Sequence, residues 1–137
     1  MILALSLTLL LSSQIPLSLE HAKTPHELTR GLMGRTELGS SRGMLFHLPY
    51  ADHWNFWSKG CLMRLSIAFL DSQGQILEIQ ELPMDQGKTT LTSSQLSTYA
   101  LEMESGWFEE HDVRVGDRVV WEGNSGGKVL KNRDLKR

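Results

Sequence analysis

Residues 64–71 read RLSIAFLD. Side chains alternate across an extended chain, so Leu65, Ile67 and Phe69 fall on one face and Ser66, Ala68 and Leu70 on the other. The next four residues, Asp71-Ser72-Gln73-Gly74, have the chemistry of a tight turn, with Asp71 placed to accept from the backbone near Gln73 or Gly74. QILEIQEL at 75–82 resumes the alternation after one slip at Ile76 and Leu77. A strand, a turn and a second strand are therefore written into 19 consecutive residues, 64–82, and the rest of the chain repeats this grammar.

Upstream, GMLFHL at 43–48 reads as a short buried strand, PYADHWN at 49–55 as a loop, and Phe56 and Trp57 as the start of another strand. Downstream, YALEME at 99–104 is a strand, and Gly106 to Asp112 suits a single helical turn. VRVGDRVVWEG at 113–123 suits a strand pair or a bent strand with its corner at Gly116-Asp117. Residues 83–98, PMDQGKTTLTSSQLST, carry no pattern and are expected to form a mobile loop. One helix start is explicit: Thr24 is an N-cap residue, Pro25 fits the first helical position, and Glu27 can reach back to the N-cap amide. Gly31 and Gly34 limit that helix to about two turns, enough to cover one end of a sheet.

The N-terminal stretch, MILALSLTLLLSSQIPLSLEHAKT, supports two readings. Leu7, Leu9 and Leu11, then Ile15, Leu17 and Leu19, alternate with polar residues as in a hairpin. The same apolar run has the length of an export segment, although no Lys or Arg precedes it and Ser12 or Ser13 makes a poor cleavage site. It falls short of the roughly 20 apolar residues of a membrane span. The expected organisation is an N-terminal strand or export remnant at 1–14, one β-sandwich-like domain at 15–122 and a flexible basic tail at 123–137. The fold class is mainly β: an antiparallel sandwich or barrel-like domain of about seven or eight short strands with one short helix. The compartment stays open between cytoplasmic and extracytoplasmic.

The 137 residues are 40% apolar and 22% charged, an ordinary globular composition. The net charge of −2 gives no overall field toward nucleic acid or an anionic membrane. From Lys128 onward three Lys and two Arg face one Asp, but no aromatic is interleaved with them, so a nucleic-acid arm is not expected. Cys61 is the single cysteine, which excludes an internal disulfide. The five histidines, at 21, 26, 47, 53 and 111, have no zinc-ligand spacing. A nucleotide-binding loop, a Gly-x-Ser-x-Gly elbow and a paired-carboxylate signature are all absent from the sequence, so neither a cofactor nor a metal is expected.

The densest chemistry lies at FWSKGCLMR, residues 56–64. Trp54, Phe56 and Trp57 can line a pocket, Lys59 and Arg64 can hold an anionic group, and Cys61 is either a buried thiol or a nucleophile activated by His47 or His53. Glu102, between Leu101 and Met103, needs a partner if it points inward, with Arg35 and Arg64 as the available cations.

The motifs GLMGR (31–35), GMLF (43–46), FW (56–57), IAFLD (67–71) with Gly74 and Ile76, LE (101–102) with Gly106, and GD (116–117) occur in this order. Together they resemble the bacterial and archaeal domain of unknown function 192 family, also called uncharacterised protein family 0127, over about residues 15 to 120. The resemblance implies a β-sandwich-like fold, often behind an export or anchor segment, and no assigned activity. Family members usually continue the aromatic pair with Met, a basic residue, Asn and Thr, and later carry Pro-Leu-Asp. Here those places hold Ser58, Lys59, Gly60, Cys61 and then Arg64, Leu65, Ser66. Gly60 keeps the tolerance of a left-handed backbone, Cys61 keeps a small volume, and Ser66 keeps a local acceptor. These replacements suit a bend better than a catalytic centre, so no catalytic residue is assigned.

Three functional expectations follow. The first is a non-catalytic β module binding an unknown small molecule or protein partner near the aromatic bend, through Trp54, Phe56, Trp57, Lys59, Cys61 and Arg64. The second is a hydrolase or transferase with Cys61 as nucleophile and a histidine as base. The third is a structural domain at the cell envelope.

Overall fold

In the computed structural model, which describes residues 14–132, the strand read from RLSIAFLD is β4, Leu65–Leu70, and all six of its residues are buried. It lies between two other strands, with both its faces covered, and the two alternating sets of side chains enter different apolar clusters. Ala68 and Leu70 join Leu45, Leu101, Met103 and Val119 on the inner face. Leu65, Ile67 and Phe69 join Phe46, Cys61 and Ala100 on the outer face. Each large apolar side chain so buried contributes roughly 1.5–3 kcal/mol.

The other elements, in chain order, are β1 (Gln14–Ala22), helix α1 (Pro25–Arg30), β2 (Arg42–Asp52), β3 (Asn55–Phe56), β5 (Ile76–Glu81), β6 (Leu91–Thr92), β7 (Ser97–Glu104), helix α2 (Trp107–Glu110), β8 (Arg118–Glu122) and β9 (Gly126–Leu130). Seven strands form one sheet in the order β5-β4-β7-β2-β1-β9-β8, and β3 pairs with β6 in a separate ribbon. The large sheet curls until its outer strands meet. Gln75 bridges Arg118. Ile76 donates its N–H to the Asp117 carbonyl at 2.8 Å, Gly116 donates to Ile76 at 2.8 Å, and Val119 donates to Gly74 at 2.9 Å. Asp71 begins the turn that sets this seam, accepting from the N–H groups of Gln73 and Gln75 at 2.8 and 2.9 Å.

The mainly β class and the barrel-like shape agree with the sequence, but the sheet is mixed rather than antiparallel, and one curled sheet replaces a two-sheet sandwich. β1 runs parallel to β2, from Ser18 opposite Arg42 to Ala22 opposite Phe46. A parallel pair needs a crossover connection, and residues 23–41 supply it with α1 inside. The helix therefore lies over the outer face, where Leu28 packs against the outer cluster. Its capping box is formed: Glu27 donates its N–H to Thr24 Oγ1 at 3.2 Å, and Thr24 donates its own to Glu27 Oε1 at 3.0 Å. Thr24→Ala should lower stability by about 1 kcal/mol in denaturant titrations.

Two segments expected to be mobile are structured. Residues 126–130 form β9, which pairs antiparallel with both β1 and β8. Val129 is fully buried, and a Cβ on Gly127 would lie 2.8 Å from Leu19, so this glycine serves close packing rather than flexibility. Within 83–98, Leu91 and Thr92 form β6, while Asp85 and Gly87 donate their N–H groups to the buried hydroxyl of Ser58 at 3.2 and 3.3 Å. The first strand of the expected N-terminal hairpin, at 7–11, lies outside the described residues, as do 133–137. Among the described residues no helix is long and apolar enough to cross a membrane.

Candidate functional site

In β7 the period of two sends Leu101 and Met103 inward and Ala100 and Glu102 outward. Glu102 therefore stands in the middle of the outer face, opposite Met44 on one side and Ile67 on the other. It is 4% exposed, and its carboxyl makes no hydrogen bond or ion pair with any described residue. Removal from water disfavours the charged form, so its pKa is raised to about 8. Neither cation expected beside it is there. Arg35 makes a two-bond ion pair with Glu20 at 2.5 and 2.7 Å, and Arg64 is exposed at a separate hollow that Arg42 and Trp107 also line.

Glu102 opens instead into a cavity of about 270 Å³. The crossover supplies one wall through Leu28, Arg30 and Met33, and β2 supplies Phe46 and Leu48. The aromatic bend closes the other side with Trp54, Phe56, Trp57, Lys59 and Cys61. Five of the six residues singled out by sequence thus share one cavity; Arg64 does not. Arg30 and the placement of Glu102 were missed. Only the path of the crossover brings Arg30 to this wall, whereas Glu102 carried a signal as an acid inside an apolar strand.

The bend is held firmly. Phe56 packs edge-on against Phe46 and Phe69, with ring centroids 5.3 and 5.7 Å apart. Trp54 donates its indole N–H to the Tyr50 carbonyl at 2.9 Å. Gly60 has φ +74°, the left-handed backbone anticipated at this position, and its carbonyl accepts from Gly34 N–H at 2.9 Å, tying bend to crossover. Gln86 donates to the Cys61 carbonyl at 3.1 Å. At the rim, Trp57 is 43% exposed and the Lys59 ammonium lies 5.4 Å from the centre of its ring. Ser66, in the place of the family's Asp, accepts from Gly106 N–H at 3.2 Å and donates to the Glu81 carboxylate, so its partners are remote in sequence rather than local as expected.

Cys61 is buried, and its thiol pKa is pushed up by burial and then by the neighbouring Glu102 carboxylate. No histidine lines this cavity. His47 shares a 2.8 Å hydrogen bond with His21 and packs against Tyr99 and Trp121. Burial first, then His21 and Lys23, lower its pKa to about 4. His53 Nδ1 lies 2.9 Å from the Ser93 carbonyl oxygen. Both imidazoles weighed as a base for Cys61 are thus engaged elsewhere.

A family model for domain of unknown function 192, described as an uncharacterized ACR, matches residues 9–121. The chain belongs to this family. Two solved structures resemble this family member closely. A protein of unknown function from Novosphingobium aromaticivorans is 27% identical, with a TM-score of 0.72 over 79% of this chain and 85% of the other. A protein named as a candidate transcription regulator from Sinorhizobium meliloti is 29% identical, with a TM-score of 0.71 over 74% and 79% of the two chains. No curated protein matches this domain of unknown function 192 chain.

Proposed function

We propose that the domain is a non-catalytic module that takes a small ligand into the cavity between α1 and the aromatic bend. The observation that carries this reading is Glu102, an almost wholly buried acid whose carboxyl has no hydrogen-bond partner among the described residues and which lines that cavity. A ligand group within hydrogen-bond reach would give that carboxyl a fixed partner in the cavity. Concave shape, apolar walls and a few convergent polar groups are the usual attributes of small-molecule sites. The rigid bend supplies the preorganisation such a site needs.

The nucleophile reading receives less support. A buried thiol with a raised pKa holds little thiolate at neutral pH, and attack requires the thiolate. One similar structure carries a regulator's name, but the net charge of −2 gives this chain no overall field toward nucleic acid.

Cys61 provides a reporter in the cavity wall. Its modification by a thiol reagent in the folded protein should be slow at neutral pH, and small molecules that occupy the cavity should slow it further. Rapid modification of the native thiol would instead restore the nucleophile reading, and a diverse fragment library that gives no protection at all would remove the binding one.

A further inference from the structure

The cavity's charges are unevenly distributed. Arg30 and Lys59 are both exposed at its edge. The ion pairs formed among the described residues are Arg35–Glu20 and Arg114–Asp112, so neither rim cation is neutralised by a carboxylate. Lys59 does rest over Trp57, which places its charge beside the opening. The acid of the site lies at the other end, on the floor, where burial favours its protonated form at neutral pH. The aromatic and aliphatic walls between them carry no charge.

We propose that the ligand class is a small organic anion: an anionic group held at the rim by Arg30 and Lys59, a flat apolar body against Phe46 and Phe56, and a hydrogen-bond acceptor reaching Glu102. This rests on the binding reading above and names its ligand chemistry. Guanidinium and ammonium groups recognise carboxylate and phosphate through charge-assisted hydrogen bonds. A neutral carboxylic acid in an apolar site donates one hydrogen bond, so it selects an acceptor rather than a cation. The volume, about 270 Å³, lies just under the roughly 300–1,000 Å³ typical of ligand pockets, which favours a single-ring body over a nucleotide-sized one. A cationic ligand would approach two like charges and meet an acid that is neutral at pH 7.

The titratable or charged groups facing Glu102 across the cavity are Arg30 from α1 and Lys59 and Cys61 from the bend, while its neighbours on β2 and β4, Met44 and Ile67, are apolar. Raising the pH through about 8 ionises Glu102 and turns its donor into a second anion, which repels the ligand's acceptor.

Three probes with one phenol body separate the possibilities: 4-hydroxyphenylacetate carries an anion, tyrosol is neutral and tyramine is cationic. Binding to the full chain is followed by the indole N–H resonances of Trp54 and Trp57. The anion should bind about tenfold more tightly than tyramine, a 1.4 kcal/mol difference. Arg30→Gln combined with Lys59→Gln should reduce the anion to the affinity of tyrosol. Its affinity should fall as the pH passes 8 in the native protein and stay level in Glu102→Gln. A preference for tyramine, or an anion preference that survives the double substitution, overturns the inference and leaves the binding reading standing. Silence from all three probes, when other fragments protect Cys61, overturns the anion class alone. If no fragment protects Cys61 either, both readings fall.

Discussion

Glu102→Gln should abolish a loss of folding stability that otherwise accumulates as the pH rises from about 5 to about 8. The carboxyl's pKa is about 8 in the folded state against an ordinary value of 4.5. Below 4.5 both folded and unfolded chains hold the proton, and its stabilising contribution is complete. Between the two values the unfolded chain has released its proton while the folded chain has not, so stability falls by about 1.4 kcal/mol per pH unit. Above 8 the folded state ionises as well, the fall levels off, and the accumulated loss is of the order of 5 kcal/mol. Gln presents no titrating group, so the difference between the two proteins isolates this contribution. The half-buried histidines His21 and His47 act in the opposite direction. His47, lowered to about 4, stabilises the fold above its ordinary value of 6.5, and that stabilisation is lost as the pH falls through 4. His47 is present in both proteins and cancels in the comparison. Denaturant titrations at several pH values measure the difference, and parallel profiles for the two proteins would show that Glu102 is not desolvated as described.

Gly74→Ala should cost more than any ordinary surface substitution, because it combines two penalties. Gly74 has φ +80°, and a Cβ there would lie 2.2 Å from the Val119 carbonyl oxygen, a backbone atom that cannot step aside without moving β8. The left-handed conformation costs an L-residue about 1–2 kcal/mol, and displacement of the seam should bring the total to about 3 kcal/mol or more. Gly116 provides the control: its φ is +96°, but nothing lies within 4 Å of its would-be Cβ. Gly116→Ala should therefore carry only the conformational term. Equal losses in the two variants would show that the seam tolerates displacement. Amide exchange adds a positional readout, since Val119 and Ile76 lose protection only if the seam opens.

Elements whose signals are local were legible in the sequence. The alternation in β4, the Asp71 turn and the Thr24–Glu27 capping box each involve residues close together in the chain, and each forms as read. What escaped depends on partners remote in sequence. Period-two alternation marks a strand but does not name its neighbour, so the parallel pairing of β1 with β2 was invisible. Residues 123–137 were expected to be a flexible tail, whereas Gly127 admits Leu19 at close range within β9. For the site, clustering along the chain brought five bend residues into one cavity because they belong to one tightly tied loop. Arg64, at the end of the same run, lies past the bend and faces another hollow. Arg30 entered by way of the crossover, and Glu102 was recognised as an acid in need of a partner that no described residue supplies.

The position of β1 carries one more consequence. Gln14–Ser18 is bonded to β9, and Ser18–Ala22 to β2, so half of this early strand waits for residues 126–130 to emerge from the ribosome. A nascent chain can stack β2, β4, β5 and β7 as they are made, but the first half of β1 gains its β9 partner only once residues 126–130 have followed. The strand at the start of the domain is thus completed by the strand at its end, after those between them have been made.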